Sequence, residues 1–166
     1  QVTLKRAFDP VVDANTRLLI LGSLPGDASL KAGQYYGHPQ NGFWRLVGGV
    51  IGVDLVVLPY PERLEALKAA GVGLWDVIAR AERPGSLDAA IRNAEAADLN
   101  RLVDSLPALR AIAFNGGTAA RLGRRILTSQ ARFALIDLPS SSPAHTRPLA
   151  DKAAAWAVLG AGLGRG

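Results

Sequence analysis

The stretch RLLILGS, Arg17–Ser23, runs directly into LPGDASLKAGQYYGHPQNGFW, Leu24–Trp44, and this junction decides the fold. Its first part has the unbroken aliphatic character of a strand buried on both faces, as in a parallel sheet. Its second part gathers glycines, prolines, two tyrosines, a histidine and an amide at the strand's end, which reads as a site built on a loop. Gly22, Pro25 and Gly26 let backbone amides approach a ligand; Tyr35, Tyr36, Phe43 and Trp44 offer flat apolar faces; His38 and Asn41 supply polar groups. Flat faces with one amide suit a planar heterocycle such as a nucleobase.

Working outward, three further apolar runs follow: GVGLWDV (Gly71–Val77), AIAFNG (Ala111–Gly116) and FALIDLPS (Phe133–Ser140). Helical spacing separates the runs at Phe43–Ile51, Pro61–Ala70, Leu87–Leu106 and Thr118–Leu127, with Pro61 a first-turn proline and Thr118 an N-cap. A closing helix spans Pro148–Leu159 and packs Trp156 on the sheet. The alternation predicts one three-layer α/β/α domain over residues 1–166 with a four-stranded, mainly parallel sheet. Polar clusters end all four strands (Gly22–Gly26, Trp75 with Asp76, Asn115–Gly117 and Pro139–His145), which places a ligand crevice along that edge. Neither GxGxxG nor GxxxxGK[ST] occurs, which counts against nucleotide cofactors.

In the 166-residue chain, 19 Lys and Arg against 14 Asp and Glu give a net charge of +5, favouring a polyanionic partner. Cysteine is absent, which excludes disulfides and thiolate metal sites, and two histidines make a metal site a poor expectation. Without a signal peptide or a membrane-length apolar run, the expectation is a soluble cytoplasmic protein, nucleoid-associated if bacterial. The missing initial Met suggests that residue 1 is not the native start.

GSLPG, YYGHPQNGFW, GLWDV, AFNG and LPSSSPAH, in this order over Arg17–Trp156, resemble the uracil-DNA glycosylase superfamily and specifically its hypoxanthine-DNA glycosylase branch. The resemblance implies a monomeric enzyme without metal or organic cofactor, acting on double-stranded DNA that contains deaminated bases. It would flip hypoxanthine, or uracil or xanthine, from the stack and hydrolyse its N-glycosidic bond. Two departures matter. Leu24 stands where many members carry a water-holding Asp or Asn, and Leu138 where the uracil-specific branch has a histidine. Both argue for the hypoxanthine branch, in which the catalytic amide is displaced to Asn41.

Asn41 could orient the attacking water and donate to the base, or cap the helix beginning at Gly42 or Phe43; in the HPxN setting catalysis is favoured. His38 is placed with it as a catalytic candidate, with loop support as its alternative. Base contacts are expected from Gly22, Ser23, Leu24, Pro25, Gly26, Tyr36, Phe43, Asp76 and Asn115. Tyr36 would stack on the base, and core packing is its alternative. Asp76 would accept from N1–H of hypoxanthine, the imide N–H of uracil or a backbone amide in the pocket, or else cap a following helix. Asp27 is a reserve for holding water, with an Asx turn preferred. Ser140, Ser141, Ser142, Pro143, Ala144, His145 and Arg147 are expected to grip DNA, with long-range attraction from Arg121, Arg124, Arg125 and Lys152. Two other classes stay open: a non-catalytic nucleic-acid-binding domain, and an α/β enzyme of small phosphorylated molecules using Gly22–Gly26 as a phosphate loop.

Overall fold

The computed structural model describes residues 4–128 and 130–163. Its strands are β1 (Leu4–Arg6), β2 (Leu18–Gly22), β3 (Val72–Asp76), β4 (Ile78–Glu82), β5 (Arg92–Ala96), β6 (Ala111–Asn115) and β7 (Ala134–Leu138). Its α-helices are α1 (Asp27–Ala32), α2 (Phe43–Ile51), α3 (Tyr60–Ala69), α4 (Leu99–Asp104), α5 (Gly117–Ile126), α6 (Leu149–Trp156) and α7 (Leu159–Gly162). The strands β3, β2, β6 and β7 lie side by side in that order and are all parallel, as the four apolar runs predict.

The continuous apolar run of β2 follows from its two-sided burial. Leu18 and Ile20 enter one core with Phe43 and Val47 of α2, Leu67 of α3 and Trp156 of α6. Leu19 and Leu21 point the other way, into a second core with Leu99 and Val103 of α4 and Ala119 of α5. The period of two along a strand thus assigns alternate residues to two helix layers, which makes the three-layer arrangement. No helix among the described residues is long and apolar enough to cross a membrane.

Helix α5 approaches the sheet closely because it carries Gly123: a Cβ there would lie 2.4 Å from Cε1 of the fully buried Phe114. Gly123→Ala is therefore expected to lower stability by about 1–3 kcal/mol, read as a fall in Tm, despite alanine's better helix propensity.

Several expected elements differ. Leu87–Leu106 is not one helix; it contains a 3-10 turn at Asp88–Ala90, the strand β5 and only the short α4, whose N-cap Asp98 accepts from the Arg101 amide. Pro84 and Gly85 lead into this segment, and β5 is exposed along its length, held by backbone pairing to β4 and by an Arg80–Glu95 contact of 2.6 Å. With β1 it completes a separate antiparallel sheet, β1-β4-β5. Thr118 does not cap α5; the N-cap is Gly116, at φ 99°, where a Cβ would also press Ser140 at 3.1 Å. The closing helix divides into α6 and α7, while Trp156 is fully buried and donates to the Pro139 carbonyl at 2.9 Å.

Candidate active site

A cavity of about 580 Å³ opens at the C-terminal edge of the parallel sheet, and all four strand ends reach it. Gly22–Gly26 follow β2, Asp76 ends β3, Asn115 ends β6 and Ser140–His145 follow β7. Tyr36, His38 and Asn41 line it from the connection between α1 and α2. Ser86, Leu87 and Asp88 form a wall that no sequence motif marked.

Tyr36 sits at φ 53°, a left-handed conformation uncommon outside glycine. Phe43 covers one face of its ring, with centroids 3.9 Å apart and planes 15° from parallel. Phe43 itself is fully buried and does not line the cavity, so its expected base contact is corrected: it backs Tyr36. The Tyr36 hydroxyl is buried beside Asp76 and Asn115 without a hydrogen bond of good geometry. Burial, then the charge of Asp76, pushes its pKa well above the phenol range and keeps it a neutral donor.

Asp76 is buried and its Oδ2 has no hydrogen-bond partner. Burial first, then nearby Asp88, raises its pKa to about 7, against the opposing charge of Arg83. It caps no helix, because β4 begins after a single intervening residue. Gly22 makes the arrangement possible: a Cβ at that position would lie 2.7 Å from Asp76 Oδ1 and 3.0 Å from the Tyr36 hydroxyl.

Asn41 is not the N-cap of α2, which is Gly42 without a side-chain cap; it precedes the cap and faces the cavity. Its Oδ1 accepts from the Phe43 amide at 3.0 Å at the entry to α2, while the Nδ2 group has no partner among the described residues. His38 Nδ1 accepts from the Gln40 amide at 3.0 Å, which leaves the proton on Nε2. The His38 carbonyl accepts from the Asn41 amide, so His38 also holds the turn that presents Asn41. Leu24 is a buried cavity wall, consistent with its inability to hold water. Asp27 pairs with Lys5 outside the cavity, so it does not serve as a water holder.

The serine-rich loop is organised differently from the expectation. Ser141 is buried; its Oγ accepts from Asn115 Nδ2 and its amide donates to Asn115 Oδ1, each at 2.9 Å. The side chains of Asn115 and Ser141 thereby hold each other, and both residues still line the cavity. Ser140 Oγ accepts from the Ser142 amide and Ser142 Oγ from the Ala144 amide. Lys152 is not a surface charge: it is buried and donates to the carbonyls of Ser142 and His145. Burial also lowers its pKa, with Arg147 adding to the shift. Arg124 is likewise engaged, with Asp137 at 2.9 Å. Beside the cavity, sharing Ser141, Pro143 and His145 with it, runs a smaller cleft that Arg147 lines together with Arg45, a residue unmarked by any motif.

Comparison with known proteins agrees with this geometry. A sequence profile of the uracil DNA glycosylase superfamily matches residues 10–160. The chain is 45% identical over 153 residues to a hypoxanthine DNA glycosylase of Methanosarcina barkeri, covering 92% of this chain and 96% of that one. It is 42% identical over 156 residues to a hypoxanthine DNA glycosylase of Methanosarcina acetivorans, covering 94% and 98%. The solution NMR structure of a Methanosarcina acetivorans protein, described provisionally as a uracil DNA glycosylase, superposes with a TM-score of 0.86 at 40% identity over 98% of this chain and 99% of that chain. A parallel sheet whose four strand ends converge on one cavity, and relatives matched over nearly their whole length, lead to one conclusion: the chain belongs to the uracil DNA glycosylase superfamily.

Proposed function

We propose that this protein is a monofunctional DNA glycosylase that extrudes a deaminated base from duplex DNA, hypoxanthine before uracil or xanthine, and hydrolyses its N-glycosidic bond. The observation that carries the reading is the unpartnered, buried Asp76 Oδ2 in a cavity that also presents the Tyr36 ring. Hypoxanthine carries a hydrogen on N1 where adenine carries a lone pair, so a carboxylate there accepts from the deaminated base and repels the normal one. Tyr36, backed by Phe43, stacks on the base. Asn41 Nδ2 donates to an acceptor on the base, and the second lone pair of Oδ1 receives a hydrogen of the attacking water. As the bond from sugar C1′ to the base breaks, C1′ gains positive character and the base takes the electron pair; water adds at C1′, and the proton it gives up passes through solvent to the departing base, which is released neutral. Positioning of that water supplies much of the acceleration.

Water rather than a protein amine is the nucleophile in this scheme. None of Lys5, Lys31, Lys68 or Lys152 lines the cavity, and Lys5 and Lys152 are held by Asp27 and by loop carbonyls. The protein is further proposed to act as a monomer from a single domain.

A base-release assay on duplexes containing hypoxanthine, uracil or xanthine tests the proposal. Free hypoxanthine with an abasic strand that breaks only on alkaline treatment is the expected result. Binding without release from any duplex would instead favour a non-catalytic nucleic-acid-binding domain, and failure to bind DNA a small-molecule enzyme.

Arg45 and Arg147 are proposed to meet phosphates in the cleft beside the cavity. Replacing either with alanine is expected to reduce the salt slope of duplex binding by about one, with the single-turnover rate at saturation unchanged. Equal slopes in the variants and the parent would remove both from the interface.

A further inference from the structure

We infer that Asp88 and Arg83 are positioning residues that act on the base through Asp76, Asp88 as the like charge and Arg83 as the counter-charge of that carboxylate; this rests on the glycosylase reading above. No sequence motif marks either residue. Asp88 lines the cavity and opens the 3-10 turn Asp88–Ala90. Its Oδ1 accepts from Ser23 Oγ at 2.7 Å and stands 3.4 Å from Arg83 Nη1. Arg83, which follows β4, is 1% exposed and donates to the Pro25 carbonyl, while its Nε has no partner among the described residues.

These contacts fix both charges near Asp76. The Gly22 carbonyl accepts from the Val77 amide and the Ser23 carbonyl from the Ile78 amide. The loop that holds Asp88 by its side chain is thus joined by its backbone to the residues directly after Asp76. Two carboxylates share one buried guanidinium, which contacts Asp88 and leaves Asp76 Oδ2 unpartnered. A guanidinium keeps its charge, and away from water unit charges act over several ångströms. Asp88 therefore favours the protonated form of Asp76 and Arg83 the ionised form, opposing each other on a carboxyl that burial has already raised to about 7. From the remaining elements, Tyr35 and Tyr36 are neutral phenols whose pKa values burial raises, and Asn115 is an uncharged amide. His38 and His145 line the same cavity, and Asp27 is paired with Lys5 outside it.

Two measurements test this: the midpoint of the Asp76 titration, by carbon NMR of its carboxyl in the DNA-free protein, and the pH profile of single-turnover hypoxanthine release at saturating protein. Asp88→Asn keeps an oxygen for Ser23 Oγ and removes the charge. It is expected to move both midpoints down by about one pH unit, which makes it about fivefold faster than the parent near about pH 6 and equal to it at about pH 8.5. Arg83→Gln is expected to move both midpoints up by a similar amount, and Arg83→Lys to keep the parent's profile. Should Arg83→Gln fail to fold, the gain of rate in Asp88→Asn carries the test, because a merely structural loss does not accelerate release under acid conditions alone. Midpoints that Asp88→Asn leaves in place, or a carboxyl midpoint that moves while the acid limb of release stays fixed, would overturn the inference and leave the glycosylase reading standing. A parent protein that released no base from any duplex would remove that reading and this role together.

Discussion

Replacing Asn41 with alanine is expected to slow base release by about a hundredfold or more while duplex affinity stays nearly constant, because the amide acts on the transition state. Alanine also removes the oxygen that accepts from the Phe43 amide, so a loss of about 1 kcal/mol in stability is expected alongside. Asn41→Ser separates the two jobs. A serine oxygen can still receive a backbone amide at this turn, but it cannot both donate to the base and orient water from the amide's position. Asn41→Ser should therefore be close to the parent in Tm and close to Asn41→Ala in rate. Parent-like turnover by the serine variant would reduce Asn41 to a turn residue that holds the Phe43 amide.

Acidification is expected to weaken hypoxanthine release through Asp76. Its pKa is raised to about 7, so the carboxylate that accepts from N1–H is progressively protonated as pH falls through neutrality. The stability linkage runs the other way. The folded state binds the proton more tightly than the unfolded chain, whose carboxyl titrates near its ordinary value, so the stability contributed by protonating Asp76 is present at low pH and lost as pH rises from about 4 through about 7. Rising pH should thus increase turnover and lower this contribution to Tm over the same range. Asp76→Asn retains an acceptor but not the titration; it is expected to flatten both profiles and to be more stable than the parent at alkaline pH. Asp76→Leu, with no acceptor, is expected to release hypoxanthine about 10–100-fold more slowly, the worth of a hydrogen bond to a charged group. An acid limb that persists unchanged in Asp76→Asn would assign it to another residue.

The parallel sheet is legible in the sequence because each strand is buried on both faces and so appears as an apolar run with polar residues at its end. The cavity is legible for the same reason: those ends share one edge, and Gly22, Tyr36, Asn41, Asp76 and Ser140–His145 all reach it. The second sheet is not. Its strand β5 is exposed throughout and owes its conformation to pairing with β4, so nothing in its side chains repeats with a period of two. The wall Ser86–Asp88 is hidden because its anchors Lys5, Ser23 and Asp27 are distant in sequence. Chemistry alone also misassigns partners. Phe43 and Ser141 have the right groups for a base and a phosphate, but the packing gives the first to Tyr36 and the second to Asn115.

The reciprocal pair of hydrogen bonds between Asn115 and Ser141, continued by the Gly42 amide donating to the Ser141 carbonyl, joins the end of β6, the loop after β7 and the entry to α2 into one piece. The conformational entropy of that loop is consequently surrendered when the chain folds, not when it meets DNA. Encounter with a duplex then amounts to rigid docking on this side of the cavity, and the heat-capacity change of association there reflects dehydration of the contact surface without a contribution from coupled folding.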